Sequence, residues 1–388
     1  MRTLSSAAFC FPDCYDVLDS KTLMKENYLT AAMGRKMLNG FVCFCLSAFV
    51  VSLFLLIACG SFGTEPLPGE PAHHVEGGGF RNTDPNFRRP SGWTRWNFVV
   101  RRLLSTSTAP RTFDAPRIAN DGATLRAGLV NPSVTWIGHA TLLVQLESLN
   151  FLTDPNWGDR ASPLSWAGPR RLSPPGLAFE NLPRIDIVVI SHDHYDHLDL
   201  GTVKQLAEKH NPLFLVPVGL KAWFAENGMS RVEELDWWQE REYRGLRFVC
   251  VPAQHFSQRT LWDGNRRLWA SWAVVTENRR LYFSGDTGYF AGLKEIGKRL
   301  GPFDVAAIAI GAYEPPEIMK SVHLTPEEAV QASVDLNAST LLGIHWGTFD
   351  LAEEPLDEPP GRMLAEARSR GIPSEHAWIL KIGETRGW

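Results

Sequence analysis

From residue 134 onward the apolar residues fall into short runs separated by Gly, Pro, Asn and Asp, a pattern of strands and turns rather than of long helices. The runs at 134–136, 141–146, 151–153, 185–190, 248–251, 269–276, 280–284, 305–310 and 340–344 predict strands. Between them 202–209, 326–336 and 361–370 carry helical spacing, and the first two open on Gly201-Thr202 and Thr325-Pro326, as helix starts do. The mixture predicts an α/β fold with antiparallel pieces. No internal sequence repeat is visible.

Upstream the pattern changes. Over 88–104, Trp93, Trp96, Val99, Val100 and Leu103 recur at near-helical spacing with Arg95, Arg101 and Arg102 interleaved. This is an amphipathic basic helix that either lies on lipid headgroups or packs on the body with its arginines outward. Residues 60–76 are rich in Gly, Pro and Glu without apolar periodicity and read as a flexible tether, leaving 77–388 as the folded domain. From Phe41 to Ala58 there is no charged residue, and Arg35 and Lys36 precede the run, so it should enter a membrane with its N-terminal side cytoplasmic. Its end, Leu56-Ile57-Ala58-Cys59, resembles a bacterial lipoprotein signal in which Cys59 is lipidated, with Met33 as a fitting start. An uncleaved anchor is the alternative, because about 18 apolar residues just span a bilayer core. On either reading residues 1–59 are signal or anchor, and the domain is membrane-associated on the outer, periplasmic side.

Composition narrows the partners. The chain has 388 residues, 44% hydrophobic and 21% charged, which suits a globular domain with a sizeable core. A formal net charge of −4 with no basic run argues against nucleic acid. Cys250 alone lies inside the domain, so no disulfide framework holds it.

The run 185–190 is apolar throughout, as in a strand buried on both faces, and delivers His192, His194, Asp196 and His197 into the following loop. Three imidazoles and a carboxylate so close together need a shared partner, and neutral imidazole with carboxylate oxygen suits zinc or iron. Four such groups on one turn crowd a single tetrahedral ion, whereas two ions about 3.5–4 Å apart accommodate them. His255, Asp286 and His345 each follow an apolar run and are the candidate further ligands.

The signature His192-x-His194-x-Asp196-His197 resembles the metallo-β-lactamase superfamily. Thr135-Trp136-Ile137-Gly138-His139-Ala140-Thr141, Leu152-Thr153-Asp154-Pro155, Glu234-Leu235-Asp236-Trp237-Trp238, Gly285-Asp286-Thr287-Gly288-Tyr289, Gly311-Ala312-Tyr313-Glu314-Pro315 and Ile344-His345-Trp346-Gly347-Thr348-Phe349 resemble its N-acylphosphatidylethanolamine-hydrolysing phospholipase D branch. The resemblance implies a four-layer αβ/βα sandwich, two zinc ions per chain, a phospholipid substrate and a possible homodimer. It implies His192, His194 and His255 as ligands of one zinc, Asp196, His197 and His345 of the other, Asp286 bridging, and Asp154 orienting a ligand histidine. Asp286, Asp196 and His323 would be the catalytic residues, with His323 touching the phosphate or the leaving oxygen; alternatively His323 caps the helix that follows it. The stretch Pro316-Glu317-Ile318-Met319-Lys320-Ser321-Val322 departs from the branch, where aromatic residues are expected, and this bears on lipid selectivity. The same centre could instead open a lactone, β-lactam or other ester.

Overall fold

A computed structural model describes residues 69–108 and 112–388; the apolar segment 41–58, the Cys59 signal and most of the expected tether lie outside them. The chain divides into Met1–Cys59 and Gly60–Trp388, and every described residue belongs to the second unit. Among the described residues no helix is long and apolar enough to cross a membrane.

Two seven-stranded sheets make up the body. Strands β1 (Ser133–Gly138), β2 (Thr141–Leu146), β3 (Leu149–Thr153), β4 (Ile187–Val189), β5 (Leu213–Pro217) and β6 (Val232–Leu235) belong to the first. Strands β7 (Glu240–Tyr243), β8 (Leu246–Val251), β9 (Ser271–Val275), β10 (Arg280–Phe283), β11 (Phe303–Ala309), β12 (Ala338–Ile344) and β13 (Ala377–Trp378) form the second. The final strand β14 (Thr385–Gly387) returns to the first sheet beside β1. The spatial orders are β14-β1-β2-β3-β4-β5-β6 and β13-β12-β11-β10-β9-β8-β7. Starting from β14 in one sheet and β7 in the other, each has three antiparallel pairings and then three parallel ones. The sheets are therefore built alike, a duplication that the residues themselves do not display.

Helices α1 (Gly92–Thr108), α2 (Ala123–Arg126), α3 (Leu200–Lys209), α4 (Leu220–Glu226), α5 (Gly292–Leu300), α6 (Pro316–Met319), α7 (Pro326–Asp335) and α8 (Glu358–Ser369) flank the sheets. Together the layers are the expected α/β sandwich. Alternation along the strands sorts the side chains: Ile187 and Val189 of β4 join the core between the sheets, while Val188 packs outward with Phe214, Leu206 and Phe224 beneath the helices. Helix α7 begins as its sequence foretells, with Thr325 accepting from the Glu328 amide and the Glu328 carboxylate accepting from the Thr325 amide. The expectation of capping by His323 is therefore corrected: Thr325 does that work.

One other expectation changes, and one alternative is met. The folded body starts before residue 77, because His73 and Val75 are buried. Helix α1 packs on the body: Phe98 sits against the small cluster of Ala312, Met319 and Ala352, and Arg102 donates to the Asp350 carbonyl and carboxylate, both at 2.7 Å. Trp93 and Val99 on the same helix stay exposed.

Trp272 on β9 fastens the sheets together. It is fully buried in the inter-sheet core and its indole N–H donates to the Ile190 carbonyl at 2.9 Å, at the root of the candidate metal loop. Trp272→Ala leaves a cavity and an orphaned carbonyl, so denaturant titration should show a loss of about 3–5 kcal/mol; a loss below about 1 kcal/mol would contradict this role.

Candidate metal centre

Site residues gather at one edge of the sandwich, where the strands end. Asp154 follows β3 and Asp286 follows β10, matched strands of the two sheets; His139 follows β1 and His255 follows β8, again a matched pair. His192 to His197 follow β4, and His345 follows β12. Asp154, His139 and His345 hold positive φ angles of 36°, 54° and 65°, a conformation costly for non-glycine residues that persists only where the surroundings impose it.

Hydrogen bonds fix which nitrogen of each imidazole points inward. The Asp154 carboxylate accepts from the Ser191 amide at 2.6 Å, the Ser191 hydroxyl at 2.5 Å and His197 Nδ1 at 2.7 Å. Since the Ser191 proton goes to Asp154, Ser191 Oγ can only accept from His192 Nδ1, 2.8 Å away. His255 Nδ1 donates to the Val322 carbonyl at 2.9 Å. His192 and His255 therefore turn an unprotonated Nε2 toward the centre, and His197, its Nδ1 committed to Asp154, presents its Nε2 there as well.

There the ligand atoms converge. His192 Nε2 and His194 Nδ1 are 2.8 Å apart, and His194 Nδ1 and His255 Nε2 3.2 Å. His197 Nε2 lies 3.2 Å from His345 Nε2 and 3.2 Å from Asp196 Oδ2, and His345 Nε2 lies 3.4 Å from that oxygen. Asp286 stands between the two groups, its Oδ1 3.1 Å from His345 and its Oδ2 3.1 Å from His197, 3.8 Å from His255 and 3.9 Å from His192. Ligands about 2.0–2.2 Å from a tetrahedral ion are separated by about 3.3–3.6 Å, and most of these separations approach that edge length. In the first trio, burial keeps His192, His194 and His255 in the neutral form, whose lone pairs would repel at such distances unless a cation lay among them. The donor set and its spacing thus fit two divalent cations, one per trio.

Charge follows the same geometry. Burial pushes the Asp286 carboxyl up, but His197, His345 and His323 outweigh it and hold the group well below the usual carboxylate range. Burial pulls His345 down, yet Asp286 and Asp196 bring it to about 9. His323 is buried, its Nδ1 is 3.9 Å from Asp286 Oδ2 without a hydrogen-bond partner, and burial lowers it to about 4 against the pull of Asp286, leaving it neutral at pH 7.

Three contributors escape sequence reasoning. His139 donates from Nε2 to Asp196 at 2.8 Å; burial and His345 lower it to about 3, so it is a neutral donor that orients the carboxylate. Ser191 is the relay between Asp154 and His192. Asn82 pairs with the backbone of His255, donating to its carbonyl at 2.8 Å and accepting from its amide at 3.1 Å. His139 lies in the block 135–141 and Ser191 adjoins the signature, but nothing in the sequence marks Asn82.

A second cluster has different chemistry. His73 Nε2 is 2.6 Å from Asp236 Oδ1, and His74 Nε2 is 2.7 Å from Oδ2. These distances are too short for ligand edges and normal for a proton between nitrogen and oxygen. Asp236, just beyond β6, is a clasp for the N-terminal segment, and His73 stacks on Trp237 with ring centroids 4.2 Å apart.

Comparison with known proteins agrees with this architecture. Residues 149–346 match the beta-lactamase superfamily domain. The chain is 49% identical over 292 residues to N-acyl-phosphatidylethanolamine-hydrolyzing phospholipase D 1 of Caenorhabditis elegans, covering 68% of this chain and 81% of that one. It is 35% identical over 258 residues to the mitochondrial N-acyl-phosphatidylethanolamine-hydrolyzing phospholipase D of Saccharomyces cerevisiae, covering 65% of this chain and 55% of that one. Among solved structures, an isothiocyanate hydrolase from Delia radicum gut bacteria superposes with a TM-score of 0.53 at 19% identity, covering 66% of this chain and 99% of that one, and shares the fold.

Asn82→Ala frees the backbone of one ligand without touching the others. Chelator competition should show metal held about tenfold or more less tightly, while unchanged affinity would show that His255 needs no such support.

Proposed function

Because the chain belongs to the metallo-β-lactamase superfamily, in the branch of the N-acylphosphatidylethanolamine-hydrolysing phospholipases D, and is a hydrolase, we propose that it cleaves N-acylphosphatidylethanolamine with two zinc ions. Water adds to phosphorus, the bond from phosphorus to the ethanolamine oxygen breaks, and that oxygen takes a proton; the products are phosphatidic acid and an N-acylethanolamine. The observation that carries the reading is the pair of ligand trios sharing Asp286. Divalent ions held there would supply a water of lowered pKa and positive charge against the phosphate oxygens.

The chain's own residues do the rest. His192, His194 and His255 form one trio, and Asp196, His197 and His345 the other, with His192, His197 and His255 each aimed by the partner on the far ring nitrogen. Asp196 and Asp286, held ionised, bring negative charge to balance the cations. His323, neutral and without a partner at Nδ1, is free to hydrogen-bond a phosphate or leaving-group oxygen. The 41–58 segment would keep the enzyme beside a membrane substrate.

The departing stretch 316–322 forms α6 and supplies the Val322 carbonyl to His255, so it borders the site and would shape its substrate range. This favours, as a second reading, a different ester at the same centre. Lipid-product mass spectrometry with zinc-loaded full-length protein separates the two: N-acylethanolamine and phosphatidic acid are expected. Intact lipid alongside turnover of a lactone would overturn the first reading. Asp286→Asn should lower kcat by about 10²-fold or more, since the carboxylate charge between the two trios would offset repulsion between the cations held there; near-normal kcat would exclude a metal-centred reaction.

A further inference from the structure

Residues 73–82 form a small hairpin that reaches from β6, the edge strand of the first sheet, to a ligand-bearing loop of the second. His74 and Phe80 pair as an antiparallel bridge, the Val75 amide donates to the Gly79 carbonyl at 3.2 Å, and the Arg81 amide donates to the His73 carbonyl at 2.9 Å. Gly77, Gly78 and Gly79 turn the chain at φ angles of 82°, 87° and 106°. The first arm is fixed at the Asp236 clasp, whose Oδ1 also accepts from the Trp237 amide at 2.7 Å. Phe80, on the second arm, is buried in the inter-sheet core and packs edge-on to His74, with ring centroids 5.0 Å apart.

The far end of the hairpin rests on the loop after β8, which carries His255. The Phe80 amide donates to the Asn265 carbonyl at 2.8 Å, and the Asn265 amide donates to the Ser257 carbonyl at 2.8 Å. Arg266 reaches back to the Gly77 carbonyl at 3.0 Å. The approach is close: a Cβ on Gly79 would lie 2.6 Å from the Asn265 carbonyl oxygen, so only glycine fits there. Directly after the hairpin's last backbone bond, Asn82 makes its two bonds to the His255 backbone. The other trio is braced elsewhere: His197 donates to Asp154, Asp196 accepts from His139, and the His345 amide donates to the His139 carbonyl.

We propose that His73, His74 and Asp236 are positioning residues for the metal ion of the His192–His194–His255 trio. The clasp holds the hairpin, the hairpin holds Asn82 and the loop after His255, and these hold His255 in line with its two partners. Both oxygens of the buried Asp236 carboxylate are taken by the two rings, so releasing the hairpin strands them. The ion of the Asp196–His197–His345 trio does not depend on this support. Opening the hairpin therefore converts a two-ion centre into a one-ion centre when metal is scarce, and by reciprocity an ion in the first trio holds the hairpin closed by the same factor. The proposal rests on the reading of the two trios as metal positions; it does not depend on the substrate.

Titration of the full-length apoprotein with Zn²⁺ against a chromophoric chelator tests this. The parent should take up two ions per chain. The double variant His73→Ala, His74→Ala should keep one ion at parental affinity and hold the other about tenfold or more less tightly. Gly79→Ala, which leaves both imidazoles in place but lifts the turn off Asn265, should do the same. The double variant His73→Gln, His74→Gln returns an N–H to each Asp236 oxygen and should recover the affinity to within about threefold. In a His345→Ala background the two alanines should cost the remaining ion the same factor, and in a His255→Ala background they should cost it nothing further. Equal weakening of both ions would make the clasp a support of the whole fold, and unchanged affinity would make it a surface fastening; either overturns the proposal. A parent that takes up fewer than two ions sinks the two-metal reading itself, whereas two ions held alike by parent and variants sink only the role of the hairpin.

Discussion

The Asp154 carboxylate is the constraint on which the site depends. It is fully buried, and three donors converge on it: the Ser191 amide, the Ser191 hydroxyl and His197 Nδ1. A buried carboxylate left unpaired would cost several kcal/mol, so the donors and the loop that bears them are held in one arrangement. Through Ser191 the same carboxylate sets the tautomer of His192, and through His197 it sets that of the second trio. One residue therefore aims a ligand in each half of the centre.

The rest of the fold brings the other half into register. Trp272 and the Ala270 amide, both from the second sheet, hold the carbonyls of Ile190 and Ser191 at 2.9 Å, while the His345 amide donates to the His139 carbonyl at 3.0 Å. These bonds cross from sheet to sheet beside the ligands, so the trios cannot move apart without breaking the inter-sheet core. Because the sheets share one pattern of pairings, Asp154 and Asp286 occupy like positions, yet their roles have diverged. Asp154 orients ligands, whereas Asp286 stands between them.

Much of this was readable in the sequence because strand ends carry the chemistry. His192, His194, Asp196, His197, His255, Asp286 and His345 each follow an apolar run, and the structure brings all seven together. The α/β layering followed from the same runs. What stayed hidden depends on contacts distant in sequence or on weak patterns. Asn82 acts through two backbone bonds to a residue 173 positions away, which no local signal reports. Strand β7 reads Glu-Arg-Glu-Tyr and β14 has three residues, so neither offers an apolar run. His73 and His74 sit in a stretch whose composition suggests a tether, and only the Asp236 clasp shows that the folded body has begun.

If the seven side chains from both sheets hold two cations with Asp286 between them, anomalous diffraction from zinc-loaded crystals will locate both. Two peaks are expected, one among His192, His194 and His255 and one among Asp196, His197 and His345, each adjoining Asp286, and none at the His73–His74–Asp236 clasp. A single peak, or a peak at the clasp, would contradict that arrangement.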